Sequence, residues 1–332
     1  LKAALPAVEK ILTTTAEAAI AGAALRAVAA LTEGDAIRIL APYLDATNAE
    51  IRTAALVGLL RYGGIPGVLA AGERLLALEQ APEPAARQRA AQVIGEVGVQ
   101  QFYQPLLRLL QDPDRSVRQA AILAAAQVRH PDLLPLLLVN LAVAATRPAT
   151  ITALTAYGET MLPVVEQALT GQITLSQDDL LCLVQCCGQM QGEKPTLLLR
   201  QVIDHPDHSV GYAILVALQT VGYRASAEDL QRLMAGLQRD ATHGLRLLLA
   251  QQALGPAPAF TQLQQALADE LHLVQRRLFR RLALRYDAQA ILRAEHQLHA
   301  APESAQALAV EMLDVTLTSE EKPWVLPLLN PH

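Results

Sequence analysis

Apolar runs alternate with short polar turns along most of the chain, and residues 112–141 show the arrangement most clearly. This stretch begins with the turn residues Asp112–Asp114, continues with an apolar run over Val117–Val128, turns again at His130–Asp132, and ends with a second apolar run over Leu133–Leu141. Helical spacing of the apolar residues, with Asp and Pro in the turns, predicts a helix–turn–helix unit. No part of the chain has sustained period-two alternation, so no sheet is predicted.

The same arrangement recurs along the chain. Arg52, Arg87, Arg118 and Thr152 occupy matching points after a turn, and they are 35, 31 and 34 residues apart. A recurrence of this length is typical of stacked helix pairs, in which each repeat contacts only its neighbours. The chain is therefore predicted to be all-α, a right-handed α-α superhelix of about ten helix pairs.

Later repeats keep the helical pattern but lose the arginine. One is predicted at Val210, after a turn at 204–207, and another at Val274, after a turn at 268–272. With these included, the pattern predicts a single repeat array over residues 1–332.

A proline near the start marks the second helix of each pair, as expected for a residue without a backbone N–H in a first helical turn. Leu5–Leu12 and Leu162–Leu169 share five of eight residues, including Pro6 and Pro163. Trp324–Leu329 has the same character. Neither terminal helix has a polar cap, so the chain is predicted to be a fragment of a longer protein.

These repeats resemble HEAT repeats of the short bacterial kind, and the resemblance is strongest in residues 112–141. In HEAT repeats, an aspartate and an arginine of each unit stack into a ladder between neighbours. The resemblance gives this role to Asp112 with Arg118, and to Asp45 with Arg52.

The C-terminal part carries a narrower resemblance. Segments 277–286, 307–314 and 322–329 are similar to the HEAT region on the cytoplasmic side of bacterial transporters related to ADP/ATP carriers, of the major facilitator type. This resemblance implies a cytoplasmic domain that its parent protein tethers to the inner membrane. The longest nearly uninterrupted apolar run, 133–145, is shorter than the roughly 20 residues that cross a bilayer, so no transmembrane segment is predicted.

Composition narrows the classes of function. Hydrophobic residues make up 52% of the chain and aromatic residues only 3%, so the core must be aliphatic; Leu123 and Leu137 are predicted to be buried in it. A net charge of −5 provides no drive toward nucleic acid. The scarcity of aromatic side chains argues against a HEAT-like glycosylase that stacks on bases.

No catalytic, cofactor-binding or metal-binding residues are predicted. Cys182, Cys186 and Cys187 lie in one apolar run without a paired C-x-x-C turn, so they are interpreted as buried side chains in a reducing compartment. His205 and His208 lie in an ordinary turn between repeats. The chain is therefore predicted not to be an enzyme, the alternative being a free-standing HEAT-like enzyme of the bilin lyase kind.

Arginines cluster near the C-terminal end, and they are the candidate binding residues. The cluster consists of Arg276, Arg277, Arg280, Arg281 and Arg285. One interpretation is a solvated helix face with salt bridges inside the array. The other is a docking surface for a partner protein, the rest of the parent chain or anionic lipid head groups. Under the second interpretation the chain is a non-catalytic interaction or regulatory module, with Arg276, Arg280 and Arg281 at least partly exposed.

Overall fold

The computed structural model describes residues 4–15, 17–32, 35–255, 258–300 and 303–329. Within these ranges the regular elements are helices, and no strand is present. The all-α prediction is therefore confirmed. The chain divides into two compact units, Leu1–Met161 and Leu162–His332.

The first unit is a series of short helices joined by turns. The described α-helices are α1 (Leu5–Thr14), α2 (Ala18–Thr32), α3 (Ala36–Leu40), α4 (Ala49–Tyr62), α5 (Gly64–Glu79), α6 (Pro84–Val97), α7 (Tyr103–Leu109), α8 (Arg115–Val128), α9 (Leu134–Leu141) and α10 (Arg147–Tyr157). Short 3-10 turns lie at Ala41–Asp45, Gln100–Phe102, Pro131–Leu133 and Gly158–Met161.

First and second helices of the pairs form separate layers. The first helices α2, α4, α6, α8 and α10 pack side by side in chain order. In the second layer, α3 contacts α5 and α5 contacts α7. Local chemistry sets the boundaries: Asn48 and Asp114 cap α4 and α8 by accepting backbone N–H groups at 2.8 Å. Pro6 and Pro135 lie in the first turns of α1 and α9, as the proline pattern predicts.

The core is aliphatic, but only one of the two leucines predicted to be buried, Leu123 and Leu137, belongs to it. Leu137 of α9 has no exposed surface, as predicted, whereas Leu123 of α8 is 52% exposed, so its predicted burial is wrong. Leu123 shares a face of α8 with Gln119 and Gln127, four residues to either side. That face points into a groove beside α6, and the neighbouring Ile122 takes the core position.

Asp112 links two successive repeats. The guanidinium of Arg87 contacts both oxygens of this carboxylate, at 2.6 and 3.0 Å. Arg118 donates instead to the backbone carbonyl of Asp112 at 2.7 Å, and Arg52 donates to the carbonyl of Ala46 at 2.6 Å. Arg52, Arg87 and Arg118 therefore each donate to a backbone carbonyl of the turn that precedes them. Arg87 also binds the aspartate of the next repeat.

A second ladder joins consecutive second helices. Arg74 of α5 donates to both oxygens of Asp45 at 2.7 and 2.9 Å, and Arg108 of α7 binds Glu79 in the same bidentate way. Each arginine lies 29 residues after its acid. Asp45 thus contacts a neighbouring repeat through Arg74 and not through Arg52.

The second unit contains longer helices. Its described α-helices are α11 (Leu162–Leu169), α12 (Gln177–Gln189), α13 (Glu193–Gln201), α14 (His208–Thr220), α15 (Ala227–Leu254), α16 (Thr261–Arg285), α17 (Ala288–Ala300), α18 (Glu303–Thr316) and α19 (Lys322–Leu329), with a 3-10 turn at Pro258–Phe260. Helices α12, α14 and α16 pack side by side, and α15 packs along α16.

The predicted turn at 268–272 is wrong, because α16 runs through it without a break. The sequence there contains neither glycine nor proline, and alanine, glutamate and leucine all favour a helix. Among the described residues, none of the helices has the length and apolarity needed to cross a bilayer.

The cysteines of α12 belong to the core of the second unit. Cys186 and Cys187 are buried and Cys182 is half-buried. Burial raises the pKa of the Cys187 thiol to about 12, and the neighbouring Cys186 adds to the shift. A buried thiol that stays protonated at neutral pH is a poor nucleophile.

Candidate functional site

The predicted arginine cluster lies on α16, and its members have different environments. Arg277 and Arg281 are only 6% and 2% exposed, so the predicted exposure of Arg281 is wrong. Both side chains face α15, where the carboxylate of Asp240 is itself buried. An ion pair allows these charges to be buried, because it replaces part of the hydration they lose.

Asp240 holds the two buried guanidinium groups together. Arg281 Nε lies 2.8 Å from Asp240 Oδ2, and Arg277 Nη2 lies 2.5 Å from Oδ1. Arg281 also reaches Asp204 at 3.1 Å and packs against Gly236, where a Cβ would collide with the guanidinium. Burial lowers the pKa of Arg277, and Asp240 opposes that shift. These two arginines connect α16 to α15 through Asp240.

Arg285 is also engaged inside the second unit. Its Nη1 lies 2.9 Å from Oε1 of Glu321, a buried carboxylate just before α19. The hydroxyl of Tyr286 donates to Oε2 of the same residue at 2.5 Å. Arg285 therefore ties the C-terminal end of α16 to the start of α19.

Arg276 and Arg280 are half-buried and lie beside an aromatic ring. The guanidinium carbons are 4.4 and 5.8 Å from the ring centroid of Tyr212 on α14, within the range of cation–π contacts. Arg276 donates to the Tyr212 hydroxyl, and Arg280 donates to Gln219 at 2.8 Å. Arg280 also lies 3.6 Å from Glu295.

Arg276 and Tyr212 line a groove along α12, α14 and α16, called here the α16 groove. Its volume is about 650 Å³. The apolar lining consists of Leu181, Val184, Gly188, Ala213, Val216, Ala217 and Leu273. The polar lining consists of Gln185, Gln189, Ser209, Tyr212, Thr220 and Arg276.

Close packing of two helices forms part of the apolar lining. An ideal Cβ at Gly188 would lie 2.9 Å from the Cβ of Ala217, so only glycine allows α12 to approach α14 this closely. The α16 groove thus combines apolar side chains with a guanidinium and an aromatic hydroxyl at its edge. This combination suits an apolar segment that also carries a carboxylate.

A related groove lies in the first unit, between α6 and α8, with a volume of about 830 Å³. Gly95 allows the close approach here, since its Cβ would lie 3.0 Å from the backbone of Ala124. Leu123 is the large apolar side chain of this groove, and its polar lining includes Gln88, Gln92, Gln119 and Gln127. Among the described residues that line it, none is an arginine.

The turn before α14 uses its polar residues structurally. The side chain of Asp207 caps α14 by accepting from Val210 N at 2.9 Å, and His205 Nδ1 accepts from the backbone N–H of Asp207 at 3.1 Å. His208 behaves differently, because it turns toward His243 of α15 and Glu270 of α16. The sequence gives no signal for this cluster, whose members are at least 27 residues apart.

Comparison with known proteins supports the helical-repeat assignment. The family model for HEAT repeats matches residues 72–156, which span α6, α7, α8 and α9 and most of α10. The matched residues lie within the first unit. HEAT-like repeats form a helical module suited to protein interaction.

Other comparisons add little. No curated protein matches the chain. Among solved structures, the crystal structure of an engineered protein is 15% identical over 66% of this chain and 96% of its own, with a TM-score of 0.30. At this TM-score, the likeness supports no statement about fold or function.

Proposed function

We propose that the chain is a non-catalytic protein-interaction module, and that the α16 groove binds a short segment of a partner protein. One observation carries this proposal: Arg276 and Tyr212 form a charged, aromatic edge on a groove that is otherwise mostly apolar. Interfaces are enriched in tyrosine and arginine, which supply contact area and directed hydrogen bonds together.

The chemistry of the groove favours a protein segment over a lipid surface or nucleic acid. Four of the five clustered arginines are engaged in ion pairs within the second unit, so they do not form a broad basic face. The lining offers one guanidinium and many apolar atoms, which fits an amphipathic helix or an extended segment with an aspartate or glutamate among apolar residues.

The partner segment is proposed to come from the parent protein. The similarity of residues 277–286, 307–314 and 322–329 to the HEAT region of ADP/ATP-carrier-like transporters supports a parent of that type, and with it a cytoplasmic location near the inner membrane. The parent reading frame tests this part of the proposal. Ten or more membrane helices encoded upstream would support it, and a reading frame without membrane helices would refute it.

Selection from short peptides displayed on phage tests binding to the groove. We expect the selected peptides to combine apolar residues with at least one acidic residue. Ala213→Arg places a long cation in the groove beside Arg276, so we expect it to weaken binding of these peptides at least about tenfold.

Ala266→Arg is the matched control, because Ala266 is an exposed residue of α16 outside the groove lining. Binding should survive in this variant. Anionic and neutral vesicles serve as parallel probes. Two results together would contradict the proposed function and indicate a lipid-binding surface. No peptide would be selected, and the chain would bind anionic vesicles equally well with and without Ala213→Arg.

A further inference from the structure

Two histidines and a glutamate meet where three helices of the second unit pack together. His208 is the first residue of α14, His243 lies in the middle of α15, and Glu270 lies in the first half of α16. Each side chain is a little over one-third exposed. A small ion and a solvent molecule can therefore reach them.

The potential ligand atoms of the three residues lie close to one another. His208 Nδ1 is 2.6 Å from Glu270 Oε1, and His243 Nε2 is 3.4 Å from the same oxygen. Ligand atoms from all three residues lie within 4.8 Å of one another. Around a tetrahedral zinc ion with bonds of 2.0–2.1 Å, neighbouring ligand atoms are about 3.3 Å apart. Small side-chain rotations are therefore enough to close the three groups around one ion.

His243 supplies an independent indication of a ligand. Its Nε2 atom is buried, and the described residues give it no hydrogen bond of good geometry; its contact with the Glu270 carboxylate is long, at 3.4 Å. A buried nitrogen without a well-formed hydrogen bond carries a desolvation cost. A bound cation on the lone pair of this nitrogen would remove that cost.

We propose that His208, His243 and Glu270 form a zinc-binding site. Two imidazole nitrogens and one carboxylate oxygen are a ligand set that zinc accepts, with water in the fourth position. The ion would cross-link α14, α15 and α16. The site is separate from the proposed peptide binding, since none of its three residues lines the α16 groove.

Zinc binding to the full chain, freed of metal with a chelator, tests the site. We expect one zinc ion per chain in calorimetry at neutral pH with a non-chelating reductant. His243→Gln and Glu270→Gln should each weaken binding at least about tenfold, since even outer-shell changes at metal sites typically cost ten- to a hundredfold. His296→Gln, at an exposed histidine of α17, is the matched control and should bind like the unchanged chain.

The absorption spectrum of the cobalt-loaded chain distinguishes binding at this site from binding at the cysteines of α12. This test needs no variant. Nitrogen and oxygen ligands give cobalt visible bands without the near-ultraviolet charge-transfer band of a thiolate. That charge-transfer band would overturn the proposal. The absence of zinc binding would also overturn it, as would unchanged affinity in folded His243→Gln and Glu270→Gln variants.

Discussion

At the scale of single residues, burial decides what an arginine does in this chain. Arg277 and Arg281 are buried around Asp240, while the Arg74–Asp45 pair of the second-helix ladder is largely exposed. A charge left alone in the interior is costly, whereas an exposed charge is solvated by water. The two kinds of ion pair should therefore respond very differently to loss of the acid.

Asp240→Ala should lower the free energy of unfolding by about 3–5 kcal/mol, because two buried guanidinium groups lose their shared carboxylate. Asp45→Ala is the control, and we expect it to cost less than about 1 kcal/mol. Denaturant unfolding followed by circular dichroism measures both. Equal costs for the two variants would show that Asp240 is not buried in solution.

Two leucines provide a second comparison at this scale. Leu137→Ala should cost about 2–5 kcal/mol, because Leu137 is fully buried and its removal leaves a cavity. Leu123→Ala should change stability by no more than about 0.5 kcal/mol, since the side chain lies on the surface of a groove. A larger loss from Leu123→Ala than from Leu137→Ala would contradict the described packing of α8.

The sequence indicates which helices are apolar, but not which apolar residues face inward. In α8, Ile122 and Leu123 are adjacent in an alanine-rich run, so helical periodicity does not distinguish them. In α16, five arginines lie in two adjacent rows along the helix, and Arg281 can be buried only because Asp240 is supplied by another helix. The zinc site depends in the same way on residues that only packing brings together.

At the scale of helices, glycine sets the spacing between neighbouring first helices. Gly188 faces Ala217, and Gly95 faces Ala124, in the two grooves. The same contact recurs in the two units, so close packing of first helices is part of how both grooves form. The sequence pattern locates the helices but not these contacts.

Gly188→Ala should lower the free energy of unfolding by about 1–3 kcal/mol, because the added methyl group forces α12 away from Ala217. Gly72→Ala is the matched control. Gly72 lies inside α5, and a methyl group added there would meet no atom within 4 Å, so alanine should stabilise the chain by about 0.5–1 kcal/mol. Stabilisation by both substitutions would show that α12 and α14 are not in close contact.

Helix boundaries follow local chemistry where that chemistry is strong. Asp114, at the end of a predicted turn, caps α8, and Pro6 and Pro135 lie in the first turns of α1 and α9, as the proline pattern predicts. At 268–272 the repeat spacing predicts a turn, but the residues there favour a helix, and local propensity prevails. The repeat period is therefore less reliable than turn chemistry in the second unit.

At the scale of the whole molecule, the sequence predicts the fold class better than the binding surface. Repeat spacing, turn residues and an aliphatic composition are enough to predict stacked helix pairs, because they reflect contacts between neighbours in sequence. The α16 groove instead combines residues from 181 to 276. Tyr212 contacts Arg276 and Arg280 of the arginine cluster, and no sequence pattern indicates that this tyrosine lies beside them.

A charge-swap cycle on the α16 groove tests the proposed function most directly. The partner is a peptide selected on the unchanged chain, with its acidic residue replaced by lysine in the variant peptide. Arg276→Glu, with its helical content verified, and the lysine peptide should each weaken binding at least about tenfold, since removing one member of a charge pair costs about 2 kcal/mol or more. Together the two changes should recover most of the affinity, with a coupling energy of about 0.5–3 kcal/mol. If the losses of binding free energy from the two single changes simply add, the double change recovers no affinity. That result would show that Arg276 does not contact the bound segment, and it would contradict the α16 groove as the binding surface.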